Sequence, residues 1–266
     1  MNKDIETLFG HLWDQYILVT PSAPKVHALL GGGEPIVNDH VAFRTFNLPG
    51  LGLDTLAAHF LALGYEEKGQ YQFKAKKLNA KHFEHADPDA PKVFISELNV
   101  EELSAPAQAI IHQLVAQVPA TLADSPAFLY GGAPWQVAHG DYLTLLAESE
   151  YAAWMAAWGY RANHFTVSIN RLRDFATIES VNAALKAAGF RLNGVGGEIK
   201  GDPQVMLEQS STMADQAEVM FSDGVQRIPS CFYEFALRYP QPDGTLYPGF
   251  VEASADKIFE STNVKG

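Results

Sequence analysis

Apolar residues at Ile5, Leu8, Phe9, Leu12, Trp13 and Tyr16 recur at the three-and-four spacing of an amphipathic helix, so the chain is expected to begin with one. A cluster of breakers follows, from Pro21 through Gly31, Gly32 and Gly33 to Pro35, where the pattern predicts no regular element. Val37 to Phe46 is rich in β-branched and aromatic residues and predicts a strand. Leu53 to Leu63 shows helical spacing again and stops at Gly64, as a helix closed by a C-terminal glycine does. Three β-like runs come next: Tyr65 to Lys74, Leu78 to His85 and Lys92 to Leu98. Helices are expected around Pro106 to Val118 and Leu146 to Trp158.

The same order then returns. Asn163 to Asn170 reads as a strand, Phe175 to Ala188 as a helix ending at Gly189, and Val205 to Met213, Ala217 to Ser222 and Ser230 to Tyr239 as further strands. His40 precedes Gly64 by 24 positions and His164 precedes Gly189 by 25. Two β-α-β-β-β modules are therefore expected, a weak internal repeat. The predicted fold class is α+β: one curved, partly closed mixed sheet with helices outside and alternate strand residues lining its concave face. The division expected is one domain over residues 1–266. It comprises module one at about 36–98, a helical insertion at about 99–160, module two at about 161–240 and a C-terminal tail at 241–266.

Composition narrows the function. Nineteen Lys and Arg against 31 Asp and Glu give a net charge of −12, with 47% hydrophobic residues. That describes a folded protein without the basic surface that nucleic acid requires. No apolar window reaches the roughly 20 residues of a membrane span and no secretory leader pattern is evident. The single Cys231 cannot pair within the chain. The expectation is a cytoplasmic, bacterial-type enzyme or binding protein.

Chemistry is concentrated on three strands. His40, Ala42, Arg44 and Phe46 share one face; His164, Thr166, Ser168 and Asn170 share another, opposite an apolar Phe165, Val167 and Ile169. A polar row on a central strand is costly unless it lines a wet or liganded cavity. Glu234 stands alone as an acid in the apolar run Ser230 to Leu237 and demands a partner or a metal. Two imidazoles and one carboxylate are the donor set of the facial triad that binds non-haem Fe(II), although the same ligands suit Zn, Ni and Mn. Arg44, on the His40 face, suits a carboxylate substrate through its bidentate fork. Structural readings stand beside these: ordinary sheet histidines, or Glu234 as the ion-pair partner of Arg44 or Arg238.

The segments VNDHVAFRTF, YRANHFTVSIN and FYEFALRYP resemble those of the 2-oxoadipate dioxygenase/decarboxylase (2-hydroxyglutarate synthase) family, over about Asn38 to Tyr239. The resemblance implies a vicinal oxygen chelate-like fold, with His40, His164 and Glu234 as catalytic Fe(II) ligands and Arg44, together with His40, at the substrate. The implied reaction uses O2 to convert a 2-oxo dicarboxylic acid, 2-oxoadipate, to 2-hydroxyglutarate and CO2. A redox-silent isomerase, lyase or hydrolase on the same scaffold and a non-catalytic carboxylate-binding protein are the alternatives.

Other motifs are expected to be structural. His82, Glu84 and His85 cannot share one site from a single strand and suggest a solvated hairpin. Glu97 occupies roughly the place in module one that Glu234 has in module two, and would make a two-His, two-Glu site if it faced inward. His59 and His112 read as surface residues, Cys231 as core. Gly194 to Gly197 lacks the spacing of a dinucleotide loop.

Overall fold

The computed structural model describes residues 3–262. The opening pattern forms α1 (Lys3–Val19), which buries Ile5, Leu8, Phe9, Leu12 and Tyr16. The breaker-rich stretch after it, expected to be irregular, contains a helix, α2 (Ala23–Gly31). Its breakers sit where a helix tolerates them. Pro24 lies in the first turn, where a missing N–H costs nothing, and Gly32 follows the last turn at φ 57°.

Module one runs β1 (Asn38–Phe46), α3 (Leu53–Leu61), β2 (Tyr65–Phe73), β3 (Leu78–His85) and β4 (Lys92–Leu98). The insertion holds α4 (Ala105–Val115), α5 (His139–Glu148) and α6 (Glu150–Trp158). The single helix expected across Leu146 to Trp158 is broken at Ser149, which is extended and caps α6 by accepting from the Ala152 N–H. Module two comprises β5 (Ala162–Ser168), α7 (Ile178–Ala187), β6 (Lys200–Asp202), β7 (Leu207–Ser211), β8 (Gln216–Phe221), β9 (Gly224–Pro229) and β10 (Phe232–Arg238). The tail adds α8 (Glu252–Ile258) and a 3-10 turn, Phe259–Thr262. Among the described residues no helix is long and apolar enough to cross a membrane.

Eight strands form one mixed sheet in the order β2-β3-β4-β1-β5-β10-β7-β6. Its halves mirror each other. The parallel pair β1/β4 answers the parallel pair β5/β10, each half continues outward through antiparallel partners, and the halves join where β1 and β5 run antiparallel. The repeat expected from the sequence is thus present in the topology, with one correction. The Ala217 to Ser222 run pairs with β9 in a separate hairpin and leaves the sheet. The strand that completes module two is β6, whose three residues are too short to register as a periodic pattern.

The sheet curves as a half-barrel. On its convex side Trp13 of α1 meets Phe165 edge-on at 5.2 Å, Phe60 of α3 packs on Phe43 at 5.5 Å, and Asn182 of α7 accepts a hydrogen bond from Ser210. The concave side is closed by Tyr151 and Trp154 of α6 and by the tail from Phe250 to Phe259.

Candidate metal centre

Strand register assembles the site. His40 pairs with Thr166 across the β1/β5 seam, and Thr166 pairs with Glu234 on β10, so these side chains form one row on the concave face. His164 lies two residues before Thr166, on the same face. The structure brings His40, His164 and Glu234 together, all buried, with one donor atom of each lying within 4.8 Å of the other two. His164 Nε2 is 3.0 Å from one Glu234 oxygen and His40 Nε2 is 3.6 Å from the other.

Two of the donors, Glu234 and His164, are shifted toward the states a cation needs. Burial pushes the Glu234 carboxyl up, but the two histidines and a hydrogen bond from the Gln209 amide bring it net below its ordinary value. Burial lowers the His164 imidazole, only partly opposed by Glu234, and so favours the neutral ring. Each ring is also oriented from behind. His40 Nδ1 lies 2.8 Å from Asp39 Oδ1, and His164 Nδ1 lies 3.1 Å from Asn163 Oδ1. With the Nδ1 edge of each ring turned to those oxygens, each Nε2 edge is turned to the centre, where His40 Nε2 also lies 3.1 Å from the Thr166 hydroxyl; such outer support is common to metal-binding histidines. A divalent ion fits this donor set.

Neither arginine pairs with Glu234. Arg238 grips Asp39 at two points, 2.7 and 2.8 Å, and donates to the carbonyls of Tyr247 and Gly249. Arg44 lines the pocket, as its strand face predicts, but its guanidinium turns to Glu150 at 3.0 Å and to the Thr262 hydroxyl at 3.0 Å, over the rings of Tyr151 and Trp154. The reading of Glu234 as their structural ion-pair partner is therefore corrected: its charged neighbours are imidazoles.

Glu97 does not join the centre. It sits one residue out of phase, on the convex face, where its carboxylate accepts from the Leu53 N–H at the start of α3. The repeat explains what replaces it: Thr166 pairs with Glu234 in module two as Ala42 pairs with Phe94 in module one. Phe94 lines the pocket at the position a fourth ligand would take, leaving two His and one Glu. The hairpin with His82 is less solvated than expected. His82 is buried, 2.8 Å from the Tyr71 hydroxyl and 3.0 Å from Glu84, which also accepts from Lys92. His59 is half-buried on α3 and His112 exposed on α4. Cys231 is wholly buried, and burial pushes its thiol up to about 12, which makes it a core residue and no nucleophile.

Sequence reasoning missed Asp39, Asn163 and Gln209, and the tail residues Phe250, Ile258 and Phe259, which roof the pocket. A signal for the first two existed: each histidine of the repeat is immediately preceded by a side chain with a carbonyl-type oxygen. Among the described residues, three buried polar atoms on pocket-lining residues have no protein hydrogen-bond partner: Arg44 Nε, Asn163 Nδ2 and Gln209 Oε1. Such orphans are rare in a finished interior and mark where a ligand would be held.

Comparison with known proteins shows the family to which the chain is related. A family model described as 2-oxoadipate dioxygenase/decarboxylase matches residues 4–125 and 131–241. The chloroplastic/amyloplastic 2-oxoadipate dioxygenase/decarboxylase of Oryza sativa subsp. japonica is 37% identical over 288 residues, covering 97% of this chain and 78% of its own length. The crystal structure of hydroxyglutarate synthase in complex with 2-oxoadipate, from Oryza sativa, superposes with a TM-score of 0.93 at 34% identity, covering 100% of this chain and 95% of that one. A crystal structure from Shewanella frigidimarina NCIMB 400, carrying only the general description of a hydrolase, has a TM-score of 0.91 at 59% identity and covers 95% of this chain and 100% of that one. The fold alone is shared with a glyoxalase-superfamily protein of Ralstonia eutropha at 21% identity and a TM-score of 0.75. The chain belongs to the 2-oxoadipate dioxygenase/decarboxylase family.

Proposed function

We propose that the protein converts 2-oxoadipate and O2 to 2-hydroxyglutarate and CO2, with Fe(II) held by His40, His164 and Glu234. The observation that carries this reading is the buried two-His, one-carboxylate cluster at the seam of the two modules, in a chain of this family. The atoms balance: the acid loses C1 as CO2, and the two oxygens of O2 enter the new carboxylate and the new hydroxyl. A ferrous ion in this donor set supplies redox chemistry with O2 and a Lewis-acid hold on the 2-oxo acid.

The chain supplies the rest. Asp39 and Asn163 keep both imidazoles turned inward, and Gln209 holds one Glu234 oxygen at 2.6 Å. Phe94, Phe250, Ile258 and Phe259 exclude water around the centre, which strengthens every charge interaction inside. Arg44 provides the cation for the remote carboxylate of the diacid, within an acidic protein that otherwise repels it.

The test is an oxygen-electrode measurement on protein purified without air and loaded with Fe(II). Addition of 2-oxoadipate is expected to consume O2 and release CO2 and 2-hydroxyglutarate in equal amounts, and His164→Ala to abolish all three. Absence of uptake with every 2-oxo diacid overturns the reading. Turnover that continues without O2 favours redox-silent metal chemistry instead.

A further inference from the structure

Two cavities share Phe259 in their walls. The inner one, lined by His40, His164, Glu234, Arg44 and Phe259, measures about 20 Å³, room for one water-sized body. The outer one, lined by Lys76, Lys77, Glu150, Tyr151 and Phe259, measures about 430 Å³, within the usual range for a small-molecule site. Phe259 is common to both walls, and the Arg44–Glu150 ion pair spans the partition: Arg44 lines the inner cavity and Glu150 the outer. A six-carbon diacid does not fit the inner space as it stands, so part of its lining must move to admit one.

The partition has the form of a replaceable counter-ion. Arg44 Nη1 donates to both Glu150 oxygens, at 3.0 and 3.4 Å, Nη2 donates to Thr262, and Nε has no partner among the described residues. Arg44 is almost fully buried while Glu150 keeps 20% of its side chain exposed toward the outer cavity. Thr262 and Phe259 belong to the same 3-10 turn, and the Thr262 hydroxyl that accepts from Arg44 donates in turn to the Phe259 carbonyl, so the guanidinium is linked to the residue that both cavities share. Expelling Glu150 without a substitute would leave a buried cation unpaired, a large cost. An incoming carboxylate removes that cost, because one anion leaves as another arrives.

Resting on the substrate reading above, we propose that the outer cavity is the entry site for the diacid and that Glu150 is a latch which the substrate's remote carboxylate displaces from Arg44. A 2-oxo acid with a methyl group in place of that carboxylate cannot make the exchange. Selection for diacids therefore lies in the exchange of counter-ions at Arg44.

Binding of 2-oxoadipate and of 2-oxohexanoate to the Fe(II)-loaded protein, measured by calorimetry without O2, tests this. Glu150→Gln is expected to tighten 2-oxoadipate by about tenfold, the scale of one charged hydrogen bond no longer competed for, and to shift 2-oxohexanoate by less than about twofold. An equal change for both acids, or no tightening of 2-oxoadipate, overturns the latch. Should that variant fail to fold, Glu150→Asp, one methylene short, is read by the same comparison with a smaller selective gain. Phe259→Ala is expected to raise the association rate of 2-oxoadipate about tenfold, since it removes the side chain that both cavities share; an unchanged rate overturns the entry route. A wild type that binds 2-oxoadipate but consumes no O2 overturns the proposed reaction and leaves the latch standing. A wild type that turns over normally, with Glu150→Gln unaltered in selectivity, overturns the latch alone.

Discussion

Asp39 stands behind His40 and in front of Arg238, a chain of contacts that carries orientation from the end of β10 to a candidate metal ligand on β1. Burial alone would raise its carboxyl, yet Arg238 and His40 together hold it well below the ordinary range. Asp39→Asn keeps the shape and removes the charge, and is expected to weaken metal binding by about 10- to 100-fold, measured by competition with a chelator. A second buried charge, Lys200, donates only to the backbone carbonyls of Asn193 and Glu198; burial lowers its ammonium to about 8, with Glu234 and Glu198 pushing back. Between about 8 and the unfolded lysine value near 10.4, the unfolded chain holds this proton more tightly than the folded one, so stability gains a rising contribution with pH in that window. The contribution should vanish in Lys200→Met, as read from urea midpoints across the window. The repeat made His40 and His164 legible as a pair, and the isolation of Glu234 made it legible as their partner. The turning of Arg44 toward Glu150 was not, because strand phase gives the face of a side chain and says nothing of a partner 106 positions away.

Elements with long, regular patterns were legible: α1, β1, α3 and the three strands that follow agree with their expected spans to within a few residues. The failures share a cause. A helix flanked by tolerated breakers, a helix pair divided by one capping serine and a three-residue strand all depend on single positions that periodicity averages away. One such position is Gly159, which ends α6 at φ 61° and ψ −141°, a conformation that side chains disfavour. A Cβ there would lie 2.3 Å from the Ala133 Cα, so backbone itself would have to move. Gly159→Ala is expected to cost more than about 3 kcal/mol, seen as a large fall in Tm, with loss of the α6 end that carries Trp158.

At the scale of the whole molecule, the centre belongs to neither module. His40 comes from the first, His164 and Glu234 from the second, and only the antiparallel β1/β5 seam brings them within reach. The protein as a whole carries a net charge of −12, which opposes an approaching diacid. Raising ionic strength from about 0.01 M to 0.15 M shortens the screening length from about 30 to 8 Å, so KM for 2-oxoadipate is expected to fall while kcat holds. A KM that climbs steadily with salt would show that local attraction at Arg44 outweighs the field. The fold class was legible from the repeat; the closure of its concave face was not, because the roof is a short tail with no pattern of its own. The lone thiol of Cys231 lies sealed beside β10, the strand that bears Glu234. A reagent that modifies thiols can reach it only when the packing around it opens, so the pace of modification is a built-in clock for breathing at the heart of the protein, and comparing metal-loaded with stripped samples would time how firmly a cation clasps the two halves together.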